Sequence, residues 1–271
     1  VDKIGFIGSG NMAEALIKGI ITAKVYAPAD VFISDIKAER LKSLAKKYNV
    51  TTVRDNAELA AKVETLVLSI KPQNMADALK SITGAVKGNS LVVSIVAGKR
   101  VDGIAAVLGD VAIVRVMPNT PALIGQGASA LFANRKAKPM LEKAMRIFSS
   151  VGKAVVIDDE DLLDAVTAIS GSGPAYYFLL MEEMIKAGVE LGLSEEIAKE
   201  LVLQTAKGAG MLAVEAAKDN EGPAVLRQKV TSPGGTTEAA LKIFAEGKFG
   251  SLIAAAIRKA RERSRQLSES S

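Results

Sequence analysis

Two glycine-rich stretches could do chemistry, one near each end of the chain. Residues 5–13 read GFIGSGNMA, so Gly8, Gly10 and Ala13 stand in a Gly-x-Gly-x-x-Ala spacing. The stretch follows a short apolar run, KIGFI, and opens a segment of helical period over 12–23. Gly8 makes a tight turn, and Gly10 lets backbone approach a pyrophosphate at the helix N-terminus. Ala13 is small enough for the helix to pack on the strand. An acidic residue at the end of the second strand completes the pattern, and Asp35 stands there. An aspartate so placed can accept both ribose hydroxyls, which favours NAD(H). Ser34, Lys37 and Arg40 beside it could instead receive a 2′-phosphate, and Asp35 could simply cap the helix that follows. These readings stay open on sequence alone.

The second stretch is TSPGGTT, residues 231–237, followed by Glu238 and an alanine-rich run. Pro233 fixes the turn, Gly234 and Gly235 expose their backbone, and Thr236 and Thr237 open a helix. First-turn amides lack partners within a helix, so such a terminus can hold a carboxylate. An ordinary capped helix start accounts for the same residues. SGSGPAY, residues 170–176, shares the design, and its glycines equally suit close packing on a partner subunit.

The chain has neither cysteine nor histidine among its 271 residues. Disulfides, thiolate nucleophiles, Ser-His-Asp triads and histidine metal sites are all excluded. Any metal would need carboxylates alone, and no metal is expected. If the chain is an enzyme, a cofactor is expected to carry its chemistry. The net charge is +5: residues 1–160 hold 22 Lys and Arg against 15 Asp and Glu, and residues 161–271 hold 13 against 15. The positive excess therefore lies with the Gly-x-Gly stretch, where an anionic ligand would sit. The basic run IRKARERSR, 257–265, lacks aromatic platforms and is expected as a solvated helix face rather than a nucleic-acid footprint. No run of about eighteen uncharged apolar residues suggests a membrane span. The start on VDKIGFIG shows no leader pattern, so the cytoplasm is expected.

The elements that must position these residues alternate over the first 160 positions. Strands are predicted at 3–7, 30–35, 50–53, 64–72, 89–98, 112–121, 127–133 and 153–157. Helical periods lie between most of them. Continuous β-branched runs such as ETLVLSI and NSLVVSIVAG belong to strands buried on both faces. This predicts an α/β, Rossmann-type, doubly wound and mainly parallel sheet. From 161 onward only helical periods remain, at 161–169, 174–191, 195–217, 223–230, 236–246 and 249–267. Two domains are expected, 1–160 for a dinucleotide and 161–271 all-α. The long apolar segment PAYYFLLMEEMIKAGVEL suggests an intertwined dimer core, with a central helix of a monomeric bundle as the alternative. IKPQN (70–74), VAGK (96–99) and MPNTP (117–121) end three strands and should face the nicotinamide half of a dinucleotide. Asn119 and Thr120 have donors to hold it.

GFIGSGNMAEALIKG, IKPQN, RVMPNTPALIGQGAS, AISGSGPAYYF and TSPGGTTEAAL, in that order over nearly the whole chain, resemble the pyrroline-5-carboxylate reductases. The resemblance implies reduction of a cyclic imine, 1-pyrroline-5-carboxylate, to L-proline with NADPH or NADH. It also implies a helical dimerisation domain, with dimers often assembled as a ring of five. Gly8, Ser9, Gly10, Asn11 and Met12 would hold the pyrophosphate, with Ser34, Asp35 and Asn56 around the adenosine. Ile70, Lys71, Pro72, Ala97 and Gly98 would lie beside the nicotinamide. Glu160 would face the substrate amine. Ser232, Gly234, Gly235 and Thr236 would surround the substrate carboxylate, and Thr237 would bond the ring nitrogen as the catalytic group. Lys229 departs from an asparagine that faces the cofactor in a relative. A β-hydroxyacid dehydrogenase of the same plan would need a lysine in the long helix, for which Lys186 is the candidate. A nucleotide-sensing regulator would leave TSPGGTT unexplained.

Overall fold

The computed structural model describes residues 2–269. β1 (Ile4–Ile7) leads into α1 (Asn11–Thr22), β2 (Val31–Ser34) into α2 (Ala38–Tyr48), and the two-residue β3 (Thr51–Thr52) into α3 (Asn56–Lys62). β4 (Thr65–Leu68) is followed by α4 (Met75–Ile82), and β5 (Leu91–Ser94) by α5 (Val101–Leu108). β6 (Ala112–Met117), β7 (Gly127–Ala133), α6 (Leu141–Ser149) and β8 (Gly152–Val156) complete the sheet. After it come α7 (Leu162–Val166), a π-helical turn (Thr167–Gly171), and α8 (Gly173–Glu190). The last four helices are α9 (Glu195–Ala216), α10 (Pro223–Lys229), α11 (Thr236–Glu246) and α12 (Phe249–Glu269).

The sheet runs β3-β2-β1-β4-β5-β6-β7-β8. β3 to β6 pair in parallel, β6 and β7 are antiparallel, and β7 and β8 are parallel again. The strand order reverses between β1 and β4, which opens a crevice at their carboxyl ends where ligands of this fold class bind. All four residues of β1, β2, β4 and β5 are buried, as their apolar runs require of strands covered by helices on both faces. One core packs α1, α2 and α6 on the sheet through residues such as Leu16, Ile17, Ile20, Leu44 and Phe148. The other packs α3, α4 and α5 through Leu59, Met75, Leu79 and Ile104. Each such fully buried side chain contributes about 1.5–3 kcal/mol of transfer free energy.

Helix ends are set locally. Asp55 caps α3 by accepting from Glu58 N at 2.8 Å, and Ser194 caps α9 by accepting from Ile197 N. Asn49 closes α2 in the left-handed conformation, φ 56°.

Two compact units form. One comprises the residues up to Pro174 together with those from Lys259 onward; the other is Ala175–Arg258. The first unit continues past residue 160 because α7 packs on β6 and β7. The end of α12 joins the same unit through a buried contact, in which Ser264 Oγ donates to Asp164 Oδ1 at 2.6 Å. In the second unit Ala198 is the single buried apolar side chain among the described residues. Tyr177, Phe178, Leu179, Leu201 and Met211 are each more than half exposed on its long helices. That much apolar surface on successive turns is far beyond the scattered exposure of a soluble monomer. On α12 Lys259 pairs with Glu262 and Arg265 with Glu269.

Candidate functional site

The strand registers align the ends of β1, β2, β4, β5 and β6 on one edge: Ile7 lies beside Ser34 and Leu68, Leu68 beside Ser94, and Ser94 beside Arg115. Gly8 leaves β1 at φ +88°, and its N–H donates to Ser34 O at 2.8 Å. A Cβ on Gly8 would stand 2.6 Å from Ser69 O and 2.7 Å from Ile70 Cγ2, so only glycine fits between the neighbouring strand ends. Ser69 Oγ then donates to Gly8 O at 2.6 Å and fastens the turn from β4. Gly10 is the residue before α1, with no side-chain cap on the helix, and a Cβ built there meets nothing within 4 Å. Uncapped first-turn amides beside open space, where Ala13 is fully buried on the sheet, form a cradle that fits a dinucleotide pyrophosphate.

Ser9 is fully buried between the two glycines. Asp35 Oδ2 accepts from both Ser9 N and Ser9 Oγ at 2.7 Å, and Asp35 Oδ1 accepts from Lys37 N at 2.9 Å. Burial pushes the Asp35 carboxyl up, but the bonds from Lys37 N, Ser9 Oγ and Ser9 N outweigh it and hold the group below its ordinary range. Arg40 Nε donates to Ser9 O at 2.8 Å, and its guanidinium also pairs with Glu14. Glu14 in turn accepts from Lys47 and Tyr48. The Lys47 bond, with Arg40 and Tyr48 and against a desolvation cost, lowers Glu14 to about 2. Ser34 Oγ donates to Asn56 Oδ1 at 2.7 Å, which fixes the two residues expected at the adenosine. Beyond β2 an open cleft of about 520 Å³ is lined by Lys37, Ala38, Glu39 and Arg40.

On the other side of the crevice, Ile70 and Lys71 lead from β4 to Pro72, which starts a 3-10 turn, Pro72–Asn74. Gly98 follows β5 with φ +72°, and a Cβ there would stand 3.1 Å from Leu267 O of α12. Thr120 opens the 3-10 turn Thr120–Ile124. Asn119, expected beside the nicotinamide, is held by the protein's own groups. Its Oδ1 accepts from Ala128 N at 2.8 Å, and its Nδ2 donates to Ser170 O and Ser170 Oγ, both at 3.2 Å. With those three bonds it ties the end of β6 to β7 and to the π-helical turn.

Glu160, which the resemblance places by the substrate amine, is engaged within the protein. It is 7% exposed, and its Oε1 accepts from Arg115 Nη1 at 2.8 Å and from Val101 N at 2.9 Å. The carboxylate balances a buried guanidinium and caps α5. The signal that could have revealed this is Arg115 itself, a charge inside the buried strand AIVRVM.

In the second unit, Thr231–Thr237 form the expected turn. Gly234 has φ +72°, Gly235 precedes α11, and its N–H bonds Ser232 O at 3.0 Å. Glu238 Oε2 accepts from Gly234 N at 2.7 Å. Thr231, Gly234, Gly235, Glu238 and Lys242 line an open cleft of about 530 Å³. Lys186 is exposed and bound by Glu182 and Glu183, whose hydrogen bonds raise its pKa further from neutrality. Lys229 is bound by both oxygens of Glu221. Among the described residues no group of three or more His, Cys, Asp or Glu is placed to hold a metal ion. No helix among them is long and apolar enough to cross a membrane.

A doubly wound sheet, a glycine cradle at its switch point and an appended helical unit define an NAD(P)-dependent oxidoreductase. Residues 3–98 match the family model described as NADP oxidoreductase coenzyme F420-dependent, and residues 160–267 match pyrroline-5-carboxylate reductase dimerisation. The chain is 46% identical over 269 residues to the pyrroline-5-carboxylate reductase of Pseudomonas aeruginosa, covering 98% of this chain and 97% of that one. A solved pyrroline-5-carboxylate reductase from Coxiella burnetii superposes with a TM-score of 0.93 at 36% identity, covering 98% of both chains. The Plasmodium falciparum pyrroline carboxylate reductase with NADP bound superposes with a TM-score of 0.86 at 32% identity, also over 98% of both. The chain belongs to the pyrroline-5-carboxylate reductase family.

Proposed function

We propose that the chain reduces 1-pyrroline-5-carboxylate to L-proline, the last step of proline synthesis, at the expense of NADPH or NADH. The reading is carried by the family to which the chain belongs, and the 231–237 turn supports it, because Gly234, Gly235 and Lys242 line an open cleft at the start of α11. Glu238 holds the Gly234 amide there and would have to release it to a substrate carboxylate.

Gly8, Ser9, Gly10, Asn11 and Met12 hold the pyrophosphate, Ser34 and Asn56 form the adenosine end, and Asp35 stands between the two, bonded to Ser9. Ile70, Lys71, Pro72, Ala97, Gly98 and Thr120 line the nicotinamide end. A bound reduced nicotinamide would supply a hydride to the ring carbon of C=N while the ring nitrogen takes one proton, so that imine, hydride and proton together give the amine and the nicotinamide is left oxidised. Ser232, Gly234, Gly235 and Thr236 bind the substrate carboxylate. Thr237 bonds the ring nitrogen, orienting it or positioning the water that protonates it. A hydroxyl is a weak acid, so orientation is its main contribution. Glu160 acts from within the first unit by neutralising Arg115. The expected result for Thr237→Ala is a raised KM for the imine and a lower kcat with folding intact. Unchanged values of both would remove Thr237 from the site.

The exposed apolar helices of the second unit support an obligate dimer, and a pentamer of such dimers is the assembly we propose. Light scattering at micromolar protein is expected to give a multiple of two chains, and a monomer would contradict it. A consumer of reduced nicotinamide belongs in the cytoplasm, where that cofactor is regenerated, and fractionation tests this.

A further inference from the structure

An acidic residue at the end of β2 ordinarily reads the adenosine ribose and so sets the choice between NADH and NADPH. We infer that Asp35 is instead a positioning residue of the glycine-rich loop, so that its loss weakens NADH and NADPH alike. The inference rests on the dinucleotide reading above and concerns what one residue does within it.

The geometry carries it in three steps. First, the carboxylate is occupied. A carboxylate offers about four acceptor positions. Ser9 N and Ser9 Oγ take two on Oδ2, and Lys37 N takes one on Oδ1. One position remains, whereas gripping both ribose hydroxyls needs two.

Second, Ser9 is held at both ends of its backbone, its N–H by Asp35 and its C=O by Arg40 Nε at 2.8 Å. The carbonyl of Ser9 and the N–H of Gly10 belong to one trans peptide and point in opposite directions. Arg40, by holding that carbonyl, therefore turns the Gly10 N–H the other way. Gly10 has nothing within 4 Å of where its Cβ would be. Asp35 and Arg40 together aim the amides of the loop before any ligand arrives.

Third, the clamp is anchored in the fold. Arg40 is fixed by Glu14 of α1, and Glu14 by Lys47 and Tyr48 of α2. Asp35 and Arg40 thus pin the loop to the helix that follows β2. Orientation of the pyrophosphate donors is common to both cofactors, whereas a 2′-hydroxyl or 2′-phosphate distinguishes them.

The test is direct binding of NADH and of NADPH, followed by nicotinamide fluorescence, to the full-length chain and to Asp35→Ala. Losing two or three bonds to a charged acceptor should raise both dissociation constants about tenfold. The ratio of the two constants should stay within about twofold of its original value. A shift of that ratio toward NADPH by about fivefold or more would overturn the inference, as would unchanged affinity for both. Asp35→Asn, which keeps one acceptor oxygen, should fall between the two proteins for both cofactors. It is the variant to read if circular dichroism shows the alanine chain unfolded. If the unsubstituted chain binds neither cofactor, the dinucleotide reading itself falls, and the inference with it.

Discussion

Arg115 and Glu160 stand 2.8 Å apart with side chains 6% and 8% exposed, a guanidinium and a carboxylate buried together at the edge of the sheet. Each makes the other tolerable, because an unpaired charge at that depth is strongly disfavoured. The pair also joins β6 to the start of α5, since the same oxygen of Glu160 accepts from Val101 N.

Glu160→Ala should therefore cost about 3–5 kcal/mol of stability, as expected when one member of a buried pair is removed. Replacing both by apolar residues of similar volume should recover most of it. Urea unfolding of the single and double variants measures this. A cost below about 1 kcal/mol for the single change would show that the pair is hydrated.

Glu14 is lowered to about 2 by Lys47, Arg40 and Tyr48. A depressed carboxyl contributes stability that is complete above its unfolded pKa of about 4.5 and is lost as pH falls toward the folded value. The difference in urea midpoint between the parent and Glu14→Gln should be constant above about pH 5.5 and shrink steadily from pH 4.5 toward 2. A difference that grows over that interval would reverse the sign and refute the assignment.

Gly8 and Gly10 should respond differently to alanine. At Gly8 the added Cβ meets backbone at 2.6 Å at a φ of +88°, so Gly8→Ala should lose several kcal/mol and fold poorly. At Gly10 the Cβ enters open space, so Gly10→Ala should keep the melting temperature and lose NADH binding by about tenfold or more. Equal binding by Gly10→Ala, measured by fluorescence titration, would empty the cradle of its meaning.

Asn119→Ala should act on stability. It removes the bonds to exposed Ala128 N–H and half-buried Ser170, at a cost of about 0.5–1.5 kcal/mol. The affinity of folded protein for NADH should change little. A large loss of affinity with stability unchanged would return Asn119 to the nicotinamide.

What the chain discloses before folding follows from the range over which each signal acts. The strand alternation, the Gly-x-Gly turn and the all-helical remainder are local patterns, and the sheet and helices follow them closely. Edges moved by a few residues where prolines end a strand: the segment expected at 112–121 is paired only over Ala112–Met117. The segment 161–169 ends as an α-helix at Val166 and continues as a π-helical turn. That turn fits Gly171 against Met117, where a Cβ would stand 2.4 Å from Met117 Cε. Nothing local announces it, because Met117 and Asn119 lie about fifty residues earlier. Asn119 and Asp35 are legible as polar residues at the carboxyl edge of the sheet, and Glu160 only through the family resemblance. Their partners Ser170, Arg115 and Ser9 come from other elements, and only folding decides which neighbour takes each hydrogen bond.

The most direct measurement of the central claim is loss of nicotinamide absorbance when pyrroline-5-carboxylate is added to the chain with NADH or with NADPH. Oxidation of at least one cofactor, with proline as the product, is the expected result. A chain that binds the dinucleotide and oxidises neither form with this imine would contradict the proposed reaction.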